Sequence, residues 1–280
     1  MDYSNPEIPE GINVSEKHPF KDFLILSAGV FGTLFLAVVI LALLAEKLAL
    51  YIPFEIEQKL VFEHGIENKS HMEVTSYLQH ISDRLARHMD VPPEMQFNVH
   101  YIDAAVKNAY ATLGGHIYIY RGIIDMLPHE NALAMVIAHE MGHILHRHPV
   151  IAMGRGVVIG LLLSAISGLS SEYFVGKVVN SAGMITLLNF TRSQELQADR
   201  TGLAAVAAEY GHLNGADELF QSLMNIDGKN RDVPPPFLST HPLSKDRIEF
   251  IHEYARGNNL LLAGDTRDLP AVIRNNPSEN

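Results

Sequence analysis

From Phe23 to Leu44 the chain reads FLILSAGVFGTLFLAVVILALL, 22 residues with neither a charge nor a proline. A helix rising about 1.5 Å per residue would carry this run across the ~30 Å hydrocarbon core of a bilayer. Lys21-Asp22 and Glu46-Lys47 bound it. A retained transmembrane anchor is therefore expected. A cleaved signal peptide is the main alternative, but the run is longer than a usual h-region, starts late and follows an acidic tail. A buried core helix would show a polar stripe, and none is present. Beyond the anchor, Val74, Leu78, Ile81, Leu85 and Met89 recur at helical spacing and predict a helix over His71 to Met89. Gln96 to Ile102 alternates like a strand. A second alternating run, His116 to Tyr120, is entered through a turn at Gly114-Gly115. Pro128 and Pro149 bracket a predicted helix from Pro128 to His148. Further helices are expected over Thr191 to Tyr210, Gly215 to Met224 and Leu243 to Ala255, with Pro234-Pro235-Pro236 as a stiff connector.

This pattern predicts an α+β fold, mainly helical with a small sheet, preceded by one transmembrane helix. The expected organisation is a flexible tail over 1–22, an anchor over 23–45, a linker over 46–70, a main domain over 71–262 and a loose polar tail over 263–280. A second apolar stretch, Val150 to Leu169, is interrupted by Arg155 and glycines. Its clean part, from Gly156, is too short to span comfortably. A core or membrane-surface helical pair is favoured there, with a membrane hairpin through Val175 to Phe190 as the alternative.

Charge and composition narrow the chemistry. The formal net charge is −11, with no Lys/Arg cluster, so no nucleic-acid partner is expected. Cysteine is absent, which excludes disulfides, thiolate metal sites and a Cys nucleophile. Lys17 and Lys21 before the anchor balance Lys47 and Lys59 after it, so charge alone does not orient the span. An acidic leading tail and a large following domain suit a single-pass protein of the cell's inner membrane with its main domain outside the cytoplasm.

His139-Glu140-Met141-Gly142-His143 lies within the proline-bounded helix. Positions four apart on a helix are about 40° apart, so both imidazoles share one face. Glu140 points to the side, within reach of a water at the metal. Two neutral nitrogen ligands and a neighbouring carboxylate base form the start of a zinc hydrolase site. The pentapeptide also occurs by chance, so a third ligand has to be found. A downstream glycine at 146 and histidine at 149 would make a metzincin, but the chain has His146 and Pro149. A Glu on a later helix is the gluzincin solution, and Glu195 supplies it, with Asp199 one turn on to orient an imidazole. His146 and His148 are read as packing or hydrogen-bonding residues. A Ser239/His241 nucleophile pair is set aside, because residues so close in sequence seldom meet in triad geometry.

These motifs resemble the membrane-associated zinc metallopeptidase family that includes HtpX, BepA and the CAAX prenyl protease. The resemblance runs from roughly His71 to Arg247. It rests on Asn108-Ala109 with Gly114-Gly115, the HExxH run, Arg192 with Glu195 and Asp199, and Ser239-Thr240-His241-Pro242 with Arg247. It implies a gluzincin-type endopeptidase with one Zn²⁺ per chain on His139, His143 and Glu195, and with Glu140 as base. A polypeptide substrate would lie along a sheet edge near Asn108, Gly114 and Gly115. His241 and Arg247 would stabilise the oxyanion. The expected function is peptide-bond hydrolysis in membrane or envelope protein quality control. Leu243 stands where relatives often have a second proline, and a single anchor replaces the several spans of HtpX. A catalytically silent, tethered binding module and a zinc-free helical membrane protein are the rival readings.

Overall fold

The computed structural model of the protein describes residues 18–60, 71–167, 170, 176, 189–227, 235–242 and 245–274. In chain order its helices are α1 (Pro19–Ala49), α2 (Phe54–Leu60), α3 (Met72–Ala86), α4 (Arg121–Ile124), α5 (Glu130–Leu145), α6 (His148–Ser167), α7 (Arg192–Tyr210), α8 (Glu218–Asp227), α9 (Pro236–Thr240), α10 (Lys245–Gly257) and α11 (Ala271–Arg274). The strands are β1 (Asn98–Ile102), β2 (Ala109–Ala111) and β3 (His116–Tyr120). The fold is mainly helical with a small sheet, as the pattern predicts.

α1 contains the one described helix long and apolar enough to cross a membrane, Pro19–Leu41, and none of that span is buried inside the molecule. α6 packs along α1. The return half of the possible hairpin lies outside the described residues, apart from Gly176, Asn189 and Phe190.

β3 is central, parallel to β1 from Asn98↔His116 to Ile102↔Tyr120 and antiparallel to β2 from Ala109↔Ile119 to Ala111↔Ile117. Alternation sends Val99, Ile117 and Ile119 into the main core, with Leu78, Ile81 and Leu85 of α3 and Leu133, Ile137 and Met141 of α5. Each such side chain, fully buried, contributes about 1.5–3 kcal/mol. The opposite face carries Tyr110 and Tyr118 against Ala152 and Phe190.

α5 is the central helix, and every residue from Glu130 to Ile144 is buried. It crosses α7 at very short range. A Cβ on Gly142 would fall 2.9 Å from Ala198 Cα, and one on Gly202 would fall 3.1 Å from the backbone nitrogen of His139. Small residues at these points let the two backbones, and the side chains they carry, converge.

α1 begins at Pro19 and runs to Ala49, beyond the expected 23–45, and three further differences from the sequence reading bear on the site. α5 stops at Leu145 because Arg147 turns left-handed, with φ 62°. Pro149 consequently lies in the first turn of α6, where its missing N–H costs nothing. The expected linker contains α2, which docks on the Gly114-Gly115 turn. The expected loose tail is held as far as residue 274. The Glu130 N–H donates to the Arg267 carbonyl at 2.8 Å, the Arg267 N–H donates to Asn131 Oδ1 at 2.9 Å, and Leu269 is buried. A helix start leaves its first N–H groups without partners, and this segment supplies one. Its polar composition hid that role.

Candidate metal centre

α5 and α7 bring the four key side chains together. His139 and His143 stand one turn apart on α5. Thr191 caps α7 in a full capping box with Gln194, which places Glu195 in the first turn, where the helix dipole favours a carboxylate. His139 Nε2 and His143 Nε2 are 3.0 Å apart. Glu195 Oε1 lies 3.4 Å from His143 Nε2, and Oε2 lies 3.6 Å from His139 Nε2. His241, just after α9, joins them. Its Nδ1 is 3.1 Å from Glu195 Oε1 and 3.3 Å from His139 Nε2. All four residues are buried, and their ligand atoms lie within 4.8 Å of one another.

Two observations show that this cluster fits a divalent cation. The first is the direction of the lone pairs. His139 Nδ1 is 2.8 Å from Asp199 Oδ1, so it carries the proton and leaves Nε2 bare. His148 Nε2 donates to Gln197 Oε1 at 3.1 Å, so His148 Nδ1 accepts from His143 Nδ1 at 2.9 Å, and His143 Nε2 is bare as well. Two bare nitrogens facing one another beside a carboxylate repel unless a cation lies between them. The second observation is charge. Glu140, Glu195 and Asp199 are buried against one guanidinium, that of Arg247. Three carboxylates against one cation leave a formal charge of −2, which a divalent ion balances.

Titration follows the same geometry. Burial pushes the His143 imidazole well below its ordinary range, helped by His139 and His241, which keeps it neutral as a ligand must be. Burial would raise the Asp199 carboxyl, but Arg247 and His139 hold it well below the usual carboxylate range. Burial would likewise raise Glu195, but His241 and Arg247 bring it below its ordinary value.

Glu140 is fully buried, and neither carboxylate oxygen has a hydrogen-bond partner among the described residues. His241 Nε2 lies 3.4 Å from Oε1. Arg247 is placed differently from the oxyanion donor expected of it. Its Nε and Nη2 donate to Asp199 at 2.7 and 2.6 Å, and Nη1 lies 2.6 Å from Glu195 Oε2. All three nitrogens hold carboxylates.

The sheet edge near the centre is β2. The Tyr120 N–H donates to the Asn108 carbonyl and the Thr112 N–H donates to the His116 carbonyl. In an antiparallel pair this phase turns the backbone groups of Ala109 and Ala111 away from β3. The Lys107 carbonyl, in the same phase, accepts the Phe237 N–H of α9. Asn108 is buried with its amide oxygen unpartnered among the described residues. Gly114 and Gly115, at φ 67° and 82°, form the turn that follows.

His148 has the hydrogen-bonding role the sequence reading allowed it; that reading missed its partners, Gln197 and His143, and missed Phe190, whose ring stacks on His143 at 3.9 Å between centroids. Straight-helix geometry rotates His148 off the His143 face, which is why the sequence pairs it with no particular partner. The left-handed turn at Arg147 brings it back. Gln197, between Glu195 and Asp199, was the available signal.

Comparison with known proteins agrees with this geometry. The model of Peptidase family M48 matches residues 73–255. The chain is 32% identical to the mitochondrial metalloendopeptidase OMA1 of Schizosaccharomyces pombe over 167 residues, 58% of this chain and 47% of the relative. It is 25% identical to the beta-barrel assembly-enhancing protease of Escherichia coli K12 over 189 residues, covering 62% and 37% of the two chains. The human metalloendopeptidase OMA1 is 23% identical over 174 residues, covering 58% and 33%. The chain thus spans less than half the length of each of these curated relatives.

Proposed function

The chain belongs to peptidase family M48, and on that footing we propose that it is a membrane-anchored, zinc-dependent endopeptidase acting on extended polypeptides in membrane or envelope protein quality control. The observation that carries this reading is the converging set His139, His143 and Glu195 beside a buried Glu140 that has no hydrogen-bond partner among the described residues. Zinc, when held there, acidifies water and polarises a peptide carbonyl.

Glu140 is the base in this reading. It takes the proton of the attacking water and passes it to the leaving amine. Asp199 and His148 hold the two imidazoles with Nε2 turned inward. Arg247 is a positioning residue that fixes Glu195 and Asp199. The peptide adds along the outer edge of β2, through the backbone groups of Ala109 and Ala111 that point away from β3, with Asn108 at the start of that edge and Gly114-Gly115 setting its turn. His241 fills the fourth place in the cluster in the described conformation. A catalytic zinc site keeps an open position, so His139, His143 and Glu195 would hold the ion and His241 would serve as the oxyanion donor beside it. α1 is read as a single crossing with the peptidase domain outside the cytoplasm; protection of that domain from protease added to the cytoplasmic face, and its digestion from the other, tests the orientation.

The activity test uses the full chain in detergent with an unfolded, fluorophore-labelled polypeptide. Wild type is expected to cleave, to stop on chelation and to recover with zinc. Glu140→Gln should abolish turnover while keeping one zinc per chain. A zinc-loaded wild type without cleavage, or an active Glu140→Gln, overturns the reading.

A further inference from the structure

α2 follows the anchor directly and buries two residues, Phe54 and Glu57, while Glu55, Ile56 and Lys59 stay exposed. A buried carboxylate is costly unless it is paired, and Glu57 has two partners. Its Oε2 accepts from the Gly114 N–H at 3.3 Å, and its Oε1 lies 2.6 Å from Arg147 Nη2.

Those partners belong to the two elements that the proposed reaction depends on. Gly114 lies in the turn between the outer strand β2 and the central strand β3. Gly115 beside it has no room for a side chain, since a Cβ would fall 1.8 Å from the Gln96 carbonyl oxygen and 3.1 Å from Phe54 Cζ. Arg147 is the left-handed residue at which the metal helix α5 gives way to α6. A non-glycine residue adopts that conformation only when its surroundings hold it there. Here α2 and the chain just before it do so: the guanidinium also donates to the Ile52 carbonyl and lies 5.9 Å from the Phe54 ring centroid.

We propose that α2 is a positioning element for the peptidase site, in which Glu57 ties the edge-strand turn at Gly114 to the end of the metal helix at Arg147. The distance between a peptide on β2 and the metal on α5 is thereby set by the helix next to the membrane anchor. Glu57 precedes the 73–255 stretch that the family model covers, so the family match does not account for it. The inference rests on the function proposed above, and its test has one arm that does not need activity.

In full-length protein in detergent, hydrogen exchange is measured over 109–120 and over 143–151. Glu57→Ala should speed exchange in both segments, and the exposed control Glu55→Ala in neither. Unchanged exchange in either segment of Glu57→Ala overturns the tie, whether or not the enzyme cleaves. The kinetic arm uses a peptide long enough to pair along β2. Glu57→Ala should raise its KM about fivefold, the effect of one lost backbone hydrogen bond, with one zinc per chain retained. Glu57→Gln keeps an acceptor for Gly114 and should restore KM to near the wild-type value. An unchanged KM, or loss of zinc and turnover in step, overturns the positioning role. Should Glu57→Ala not accumulate, Glu57→Gln against Glu57→Met, similar in size, makes the same comparison.

Discussion

His143 shows how a residue's neighbours decide its chemistry. Its Nδ1 reaches His148 at 2.9 Å, and His148 reaches Gln197 at 3.1 Å, so the chain of acceptors ends on a carbonyl oxygen that cannot donate back. The proton positions in the relay follow from that end point. Replacing His148 by Leu removes the acceptor and leaves His143 free to turn or to take the wrong tautomer. Zinc affinity is expected to fall about 10–100-fold, the usual cost of losing such a support, with Gln197→Leu less severe. Competition with a chromophoric chelator measures both, and an unaltered affinity in His148→Leu removes the relay. At this scale the sequence was legible where one helix carries the information. The i,i+4 spacing of His139 with His143, and of Glu195 with Asp199, predicted which side chains share a face. It did not predict the ion pairs of Arg247, whose partner Asp199 lies 48 residues away on α7.

Among the elements, α5 and α7 determine whether a centre exists at all. Their approach depends on Gly142, where a Cβ would fall 2.9 Å from Ala198 Cα, and on Gly202, where one would be held tightly at 3.1 Å from the His139 nitrogen. Gly142→Ala would drive a methyl to 2.9 Å from Ala198 Cα, a backbone atom that cannot swing aside. Overpacking of this kind costs about 1–3 kcal/mol. It should also part Glu195 from the two histidines, so thermal stability and zinc affinity should fall together. Loss of one without the other would show that the crossing does not set the site. Helix existence could be read from apolar periodicity and proline boundaries. The split of the metal helix at Arg147 could not, because a left-handed arginine has no local signature and is held by residues of the 52–57 segment.

Across the whole molecule, Glu130 fastens the beginning of the metal helix to three other parts of the chain. Tyr77 donates to it at 2.5 Å, Arg84 at 2.5 Å and Tyr210 at 2.9 Å, and Arg267 lies 3.4 Å away. Burial would raise its carboxyl, but Tyr77 and Arg84 lead the groups that bring it below its ordinary value of 4.5. A depressed folded-state pKa gives stability that is fully present above the unfolded value and lost as pH falls through the folded one. Glu130→Gln should therefore melt at a lower temperature at pH 7, and the gap to wild type should close as pH drops below about 4.5, where the unfolded carboxyl titrates. Circular dichroism melts across that range decide it, since the metal centre is common to both proteins. A gap that stays constant with pH would show that the charge of Glu130 is not what stabilises the clamp.

By itself the sequence determined what depends on neighbours a few residues apart: the apolar span, the faces of α3, α5 and α7, the alternation of β1 and β3, and the candidate base and ligands. Periodicity and capping are local properties and survive without a fold. Only the tertiary structure decided what depends on chain segments meeting. His241 reaches His139 across 102 residues and joins the cluster. Glu57 finds Gly114 across 57 residues, and the 264–274 strap finds the start of α5. Such contacts are selected by shape, burial and unsatisfied backbone groups, and a one-dimensional pattern carries none of these.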